Sequence, residues 1–213
     1  TVFIQKLKTE DLEKISEEVL QYVADFNQSH DQYELRVLHD FNENIDSQLS
    51  ILINNGLLGV FLVVVMLTLL LNFRLSLWVA WGIPASFLGM FIVASLSGIS
   101  INIISLVGMI LIIGILVDDG VVIGENIFTH FEKGKSPRLA AIDGTMEVLP
   151  AVLTSVTTTM IAFAPLFFIE GNMEILYAMG FVVIAALAFS LVECVFVLPA
   201  HVGNPTVLNT KGK

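Results

Sequence analysis

Residues 114–126 read Gly114-Ile-Leu-Val-Asp118-Asp119-Gly120-Val-Val-Ile-Gly124-Glu125-Asn126. Two adjacent carboxylates stand inside a segment otherwise apolar enough to cross a bilayer. An acidic side chain at bilayer depth is costly, faces a protein interior or a water-filled cavity, and marks an ion or proton path. The preceding block, residues 101–117, holds twelve Ile, Leu or Val. Together these favour insertion by on the order of 5 kcal/mol at ~0.3–0.6 each. Two central aspartates cost roughly 2.5–3.5 kcal/mol apiece on the same scale. The terms nearly cancel, so this helix needs neighbours that shield its acids.

Working outward, the chain has 213 residues, of which 55% are hydrophobic and 14% charged, and its mean hydropathy is +0.83. A soluble domain carries about 25% charged residues, so the composition points to a membrane. The net charge of −10 is unevenly placed: residues 1–46 hold eleven acids against four bases. That balance, with no basic aromatic patch, excludes nucleic acid as a partner. Cys194 is the single cysteine and makes no intrachain disulfide. The four histidines, at 30, 39, 130 and 201, form no metal cluster. Gly134-Lys135-Ser136 has the look of a phosphate-loop ending, but Thr129 stands where its first glycine belongs and no strand precedes it.

The pattern along the chain predicts a mainly α fold, a polytopic bundle of five membrane spans preceded by a small extramembrane β-α-β piece. Residues 1–7 and 33–39 alternate apolar and polar and read as strands. Between them Thr9 is a candidate N-cap, and Leu12, Ile15, Val19, Tyr22, Val23 and Phe26 follow at helical spacing. A unit so small buries little core alone, and the chain is expected to be a piece of a larger protein. The five apolar runs are 45–71, 75–97, 101–128, 148–169 and 175–199, each near or above the ~20 residues that cross ~30 Å of hydrocarbon. The expected domains are therefore 1–44, 45–199 and a tail over 200–213. After Arg36, every base falls at Arg74, at Lys133, Lys135 and Arg138, or at Lys211 and Lys213. Five consecutive spans put all of these on one side, which the positive-inside rule makes cytoplasmic, and the N-terminal piece then lies outside.

No Lys or Arg lies inside any of the five apolar runs. The partner of Asp118 and Asp119 must come from chain absent here; otherwise one or both stay protonated, and the pair exchanges protons as a coupled unit. Gly120 and Gly124 form a Gly-x-x-x-Gly pair that suits close helix packing. Thr157 and Thr158, in a hydroxyl-rich stretch of the next span, could hydrogen-bond the aspartates or their own backbone carbonyls. Glu193 is a third intramembrane acid, for which a structural or interfacial role is expected. Three other readings stay open. The acids could sit near an interface and be merely solvated; at ~1.5 Å rise per residue they lie some 25 Å from the start at Ile101. The chain could be an intramembrane aspartyl protease, although adjacent residues diverge by ~100° around a helix and do not easily face one scissile bond. It could also be a non-transporting assembly or sensor subunit.

The Gly114–Asn126 stretch resembles the fourth membrane helix of resistance-nodulation-division (RND) efflux transporters, whose pattern runs G-x-x-V-D-D-A-I-V-V-x-E-N. Ser100-Ile-Asn102 is similar to the start of that helix, Leu70-Leu-Asn-Phe-Arg74 to the end of the second and Leu198-Pro-Ala-His201 to the end of the sixth. The N-terminal piece resembles the last part of the first periplasmic porter region. The resemblance implies helices two to six of the first half of an inner-membrane antiporter of the drug and amphiphile branch. Asp118 and Asp119 would be its proton-translocating aspartates, with a basic partner supplied by the second half. It also implies a homotrimer, a periplasmic adaptor protein, an outer-membrane channel, small-molecule substrates and no cofactor beyond the proton gradient. Gly120 replaces the usual Ala, and Gly124 a usual branched residue.

Overall fold

The computed structural model describes residues 3–4, 12–30, 32–38, 40–70, 73–99, 101–169 and 175–208. It divides into two compact units, Thr1–Ser50 and Ile51–Lys213.

In the first unit, α1 (Leu12–Ser29) forms where the helical spacing predicts. Its apolar positions Ile15, Val19, Val23 and Phe26 are half-buried, and the acidic face is exposed. Phe26 continues into a stacked contact with His30, ring centroids 4.2 Å apart. The expected β-α-β is not what forms. Among the described residues there is no strand, and both 3–4 and 33–38 lack a sheet partner. Residues 1–2, 5–7 and 39 of the two expected strands lie outside the described residues, as does the candidate cap Thr9. The reason is visible at Leu35. The Asn27 side chain donates from Nδ2 to its carbonyl at 2.9 Å and accepts from its N–H at 2.8 Å. One amide thus satisfies the two backbone groups a neighbouring strand would have bonded. On the exposed surface the Arg36 guanidinium, 2.9 Å from Glu34, holds that carboxyl below its usual range.

The second unit is built of long apolar helices. α2 (Phe41–Leu70) runs across the division between the units and is followed by α3 (Phe73–Leu96), α4 (Ile103–Glu132) and α5 (Pro137–Phe163). A 3₁₀ turn, Ala164–Phe168, ends α5; then come α6 (Ile175–Val192), a π-helical turn (Glu193–Val197) and α7 (Leu198–Val202). Among the described residues, five helical stretches are long and apolar enough to cross a membrane: Leu49–Leu69, Phe73–Leu96, Ile103–Glu132, Pro137–Phe168 and Leu176–Val202. The five predicted runs fall on these. Helices satisfy every backbone group within the segment, which hydrocarbon demands.

α4 is the hub, packed against α5, α6 and α3. It starts in a reciprocal cap: Asn102 Oδ1 accepts from the Ser105 N–H at 2.9 Å, and Ser105 Oγ accepts from the Asn102 N–H at 2.8 Å. It ends at Gly134, whose φ of +89° is open to glycine at little cost. Met109, Ile112, Ile123 and Ile127 of α4 are fully buried, together with Val183, Ala186 and Leu187 of α6 and Met90 of α3. α2, by contrast, leaves Leu57, Phe61, Leu62, Met66 and Leu69 exposed, a surface suited to lipid or further helices.

Two features depart from simple helical runs. α5 starts at Pro137 rather than Val148, because its first turns cross α4 at Gly144 with the backbones nearly touching. A Cβ at Gly144 would lie 2.7 Å from Ile127 Cα. The π-turn has a local cause in Pro199, which lacks an N–H and whose ring would press on the carbonyl four residues back. The ladder widens just before it, and the Leu198 N–H reaches Glu193 O.

Candidate functional site: the acids of the bundle

The two aspartates stand near the middle of α4 and part company there. Asp118 is exposed on the chain's surface, whereas Asp119 is 7% exposed. The ~100° step between consecutive helical residues accounts for the split. Asp119 Oδ2 is buried and takes no hydrogen bond among the described residues. Neither aspartate enters a salt bridge with a described residue.

Gly120 and Gly124 bring α4 onto α3. A Cβ at 120 would sit 3.3 Å from Val79 Cγ1 and 3.8 Å from Cys194 Sγ, and one at 124 would sit 2.8 Å from Val79 Cγ2. The two glycines therefore form a shallow seat for Val79. Thr157 and Thr158 go elsewhere. Both are exposed, and Thr158 Oγ1 donates to Thr154 O at 2.7 Å, one turn back on its own helix. Thr154 and Thr159 bond their own helix in the same way. The structure thus brings Gly120 to the buried side with Asp119 and leaves the threonine hydroxyls facing outward.

Glu193 has a more interior place than the sequence indicated. It is 6% exposed, and its carboxylate lies on the α3 backbone, where a Cβ at Gly82 would meet Oε2 at 2.6 Å. Its apolar surroundings in the sequence were the signal, but burial depended on the glycine of another helix. A second group escaped the sequence reading altogether. Lys135 Nζ donates to His130 Nδ1 at 2.8 Å and to Asp143 Oδ2 at 2.6 Å. An ammonium only donates, so Nδ1 is the acceptor and His130 carries its proton on Nε2, which meets Glu147 Oε2 at 2.5 Å. Asn126 Nδ2 adds a bond to Gly144 O at 2.7 Å. These contacts fasten α4 to α5. The signal was present as two i, i+4 pairs, Asn126/His130 and Asp143/Glu147, each on one helical face.

Fold and site together define a multi-pass membrane protein with an acid enclosed in the middle of its central helix. More particularly, the model of the AcrB/AcrD/AcrF family matches residues 1–211, and the chain belongs to that family of RND multidrug transporters. Among curated relatives it is 34% identical over 139 residues to multidrug resistance protein MdtC of Yersinia enterocolitica, covering 65% of this chain and 14% of the relative. Against MdtC of Yersinia pestis the identity is 29% over 178 residues, 79% of this chain and 17% of the relative. An uncharacterized transporter of Haemophilus influenzae is 32% identical over 142 residues, 66% of this chain and 14% of the relative. The chain thus spans about a sixth or less of the length of the curated relatives it matches.

Proposed function

We propose that the chain is the first-half membrane bundle of a proton-driven efflux transporter, with Asp118 and Asp119 as its proton carriers. The observation that carries this reading is Asp119, enclosed mid-helix with an unpartnered carboxylate oxygen. A bare charge there is expensive, whereas a carboxyl that gains a proton or a mobile cationic partner is not. Exposed Asp118, on the neighbouring helical face, is the group that meets chain from outside these residues. Proton uptake alters the pairing with that outside base, α4 moves, and the movement drives the export cycle.

In this reading the bundle lies in an inner membrane, with Arg74, Lys133, Lys135 and Arg138 on the cytoplasmic side and residues 1–44 on the periplasmic side. Residues 45–199 are the membrane domain and 200–213 a cytoplasmic tail. The assembly is a homotrimer working with a periplasmic adaptor and an outer-membrane channel on small-molecule substrates. The test is Asp118→Asn and Asp119→Asn, each in the full-length protein. Either change abolishes proton-coupled export from vesicles while insertion and expression persist. Export at the wild-type rate from both variants would refute the relay. Export that persists without any proton coupling would favour a different energy source.

A further inference from the structure

Nothing in the reading above uses Glu193, yet its setting is as demanding as that of Asp119. The side chain is 6% exposed. Its hydrogen bond among the described residues comes from Cys194 Sγ at 3.6 Å, a weak donor. No described Lys or Arg forms a salt bridge with it. It stands at the start of the π-helical turn, a distortion that recurs at functional sites. The absence of a side chain at Gly82 provides its room.

One side of the carboxylate borders a cavity of about 770 Å³ between α3 and the α6–α7 rod, walled by Trp78, Trp81 and Phe189. Its other polar lining residues are Arg74 and His201. Both have other engagements: Arg74 donates to Thr206 O at 2.6 Å, and His201 stacks on Trp78 at 4.1 Å. From α4 the group that faces this region is Asp119, within electrostatic reach of Cys194 as Glu193 is. The single titratable side chain of α6, Tyr177, lies at the far end of that helix. Of these groups His201, on the cavity wall, is the one within electrostatic reach of Glu193 itself. An ionised carboxylate so placed is desolvated with only a weak thiol donor and a stacked imidazole to offset the cost; a protonated one avoids that cost.

We propose that Glu193 is a second proton-binding carboxyl of the bundle, filled and emptied through the Trp78/Trp81 cavity. In this proposal its proton arrives through that cavity rather than by way of Asp118 or Asp119.

The test uses the full-length protein in lipid vesicles. Infrared difference spectra between acidic and alkaline media contain a protonated-carboxyl band that Glu193→Gln removes and Asp118→Asn/Asp119→Asn leaves in place. Coincident spectra for wild type and E193Q overturn the proposal. A second measurement guards against a misassembled variant: dicyclohexylcarbodiimide, which reacts with protonated carboxyls in apolar surroundings, is mapped on the wild-type protein by mass spectrometry. Label at Glu193 falls about tenfold for each pH unit above the point where the carboxyl ionises. No label at any pH, or the same label at every pH, refutes it. Ala85→Trp, which fills the cavity, slows this labelling; an unchanged rate would refute the route.

Discussion

The closest approach between two long helices gives the most direct test of the fold. At the crossing of α4 and α5, a Cβ on residue 144 would lie 2.7 Å from Ile127 Cα, 2.9 Å from Ile127 N and 3.1 Å from Asn126 C. All three are backbone atoms, so no rotamer change relieves the contact. Optimal carbon separations are ~3.5–4.0 Å, so Gly144→Ala forces the helices apart by roughly 1 Å, and a gap of that size forfeits a quarter to a half of each contact it opens. Overpacking of this kind costs ~1–3 kcal/mol. The same displacement stretches the Asn126–Gly144 hydrogen bond out of range, adding about 0.5–1.5 kcal/mol. The expected loss is about 2–4 kcal/mol, read as a lower denaturation midpoint of the chain in detergent micelles, followed through Trp78 and Trp81. Gly114→Ala is the control, since nothing lies within 4 Å of a Cβ there; it should cost nothing and can gain some helix propensity. If G144A is as stable as G114A, the backbone contact at the heart of the bundle is wrong.

Gly124→Val places a branched side chain against Val79, 2.8 Å from the position a Cβ would take; it should weaken the α3–α4 contact by about 1–3 kcal/mol. Val79→Ala in the same molecule should recover part of the loss, and a double-mutant cycle with no coupling would refute the seat. His130→Ala removes the member of the α4–α5 cluster that bridges Lys135 and Glu147. The loss should be on the order of 1 kcal/mol in micelle denaturation, with little change if Arg36, on the exposed surface, is replaced instead. Cys194, 1% exposed, should resist a maleimide in the folded protein and react after unfolding; rapid labelling of the native state would contradict its burial.

What could be read from sequence, and what could not, follows from the range of each interaction. The spans were legible because run length against bilayer thickness is a local count. The body of α4 was legible as the apolar run 101–128, whereas its reciprocal cap went unread although Asn102 and Ser105 are only three residues apart. That the two aspartates diverge followed from helical pitch, but that Asp119 rather than Asp118 turns inward depended on where α3 and α6 pack. The expected strands went astray over the described residues 3–4 and 33–38 because alternation shows that a segment can pair, not that a partner exists; at Leu35 the partner is Asn27. The early turns of α5 were hidden because Asp143 and Glu147 break the apolar run that marked the span. Glu193 seemed interfacial because the space that encloses it belongs to Gly82, more than a hundred positions away.

α4 runs without interruption from Ile103 to Glu132, about 45 Å at 1.5 Å per residue, against ~30 Å of hydrocarbon. Such a rod outreaches the oil it crosses. Asp119 stands near its midpoint and the His130 clasp by its tail, so in the proposed proton cycle one unbroken helix would carry both. In that cycle, releasing the clasp should alter how far the rod travels while leaving Asp119 in place.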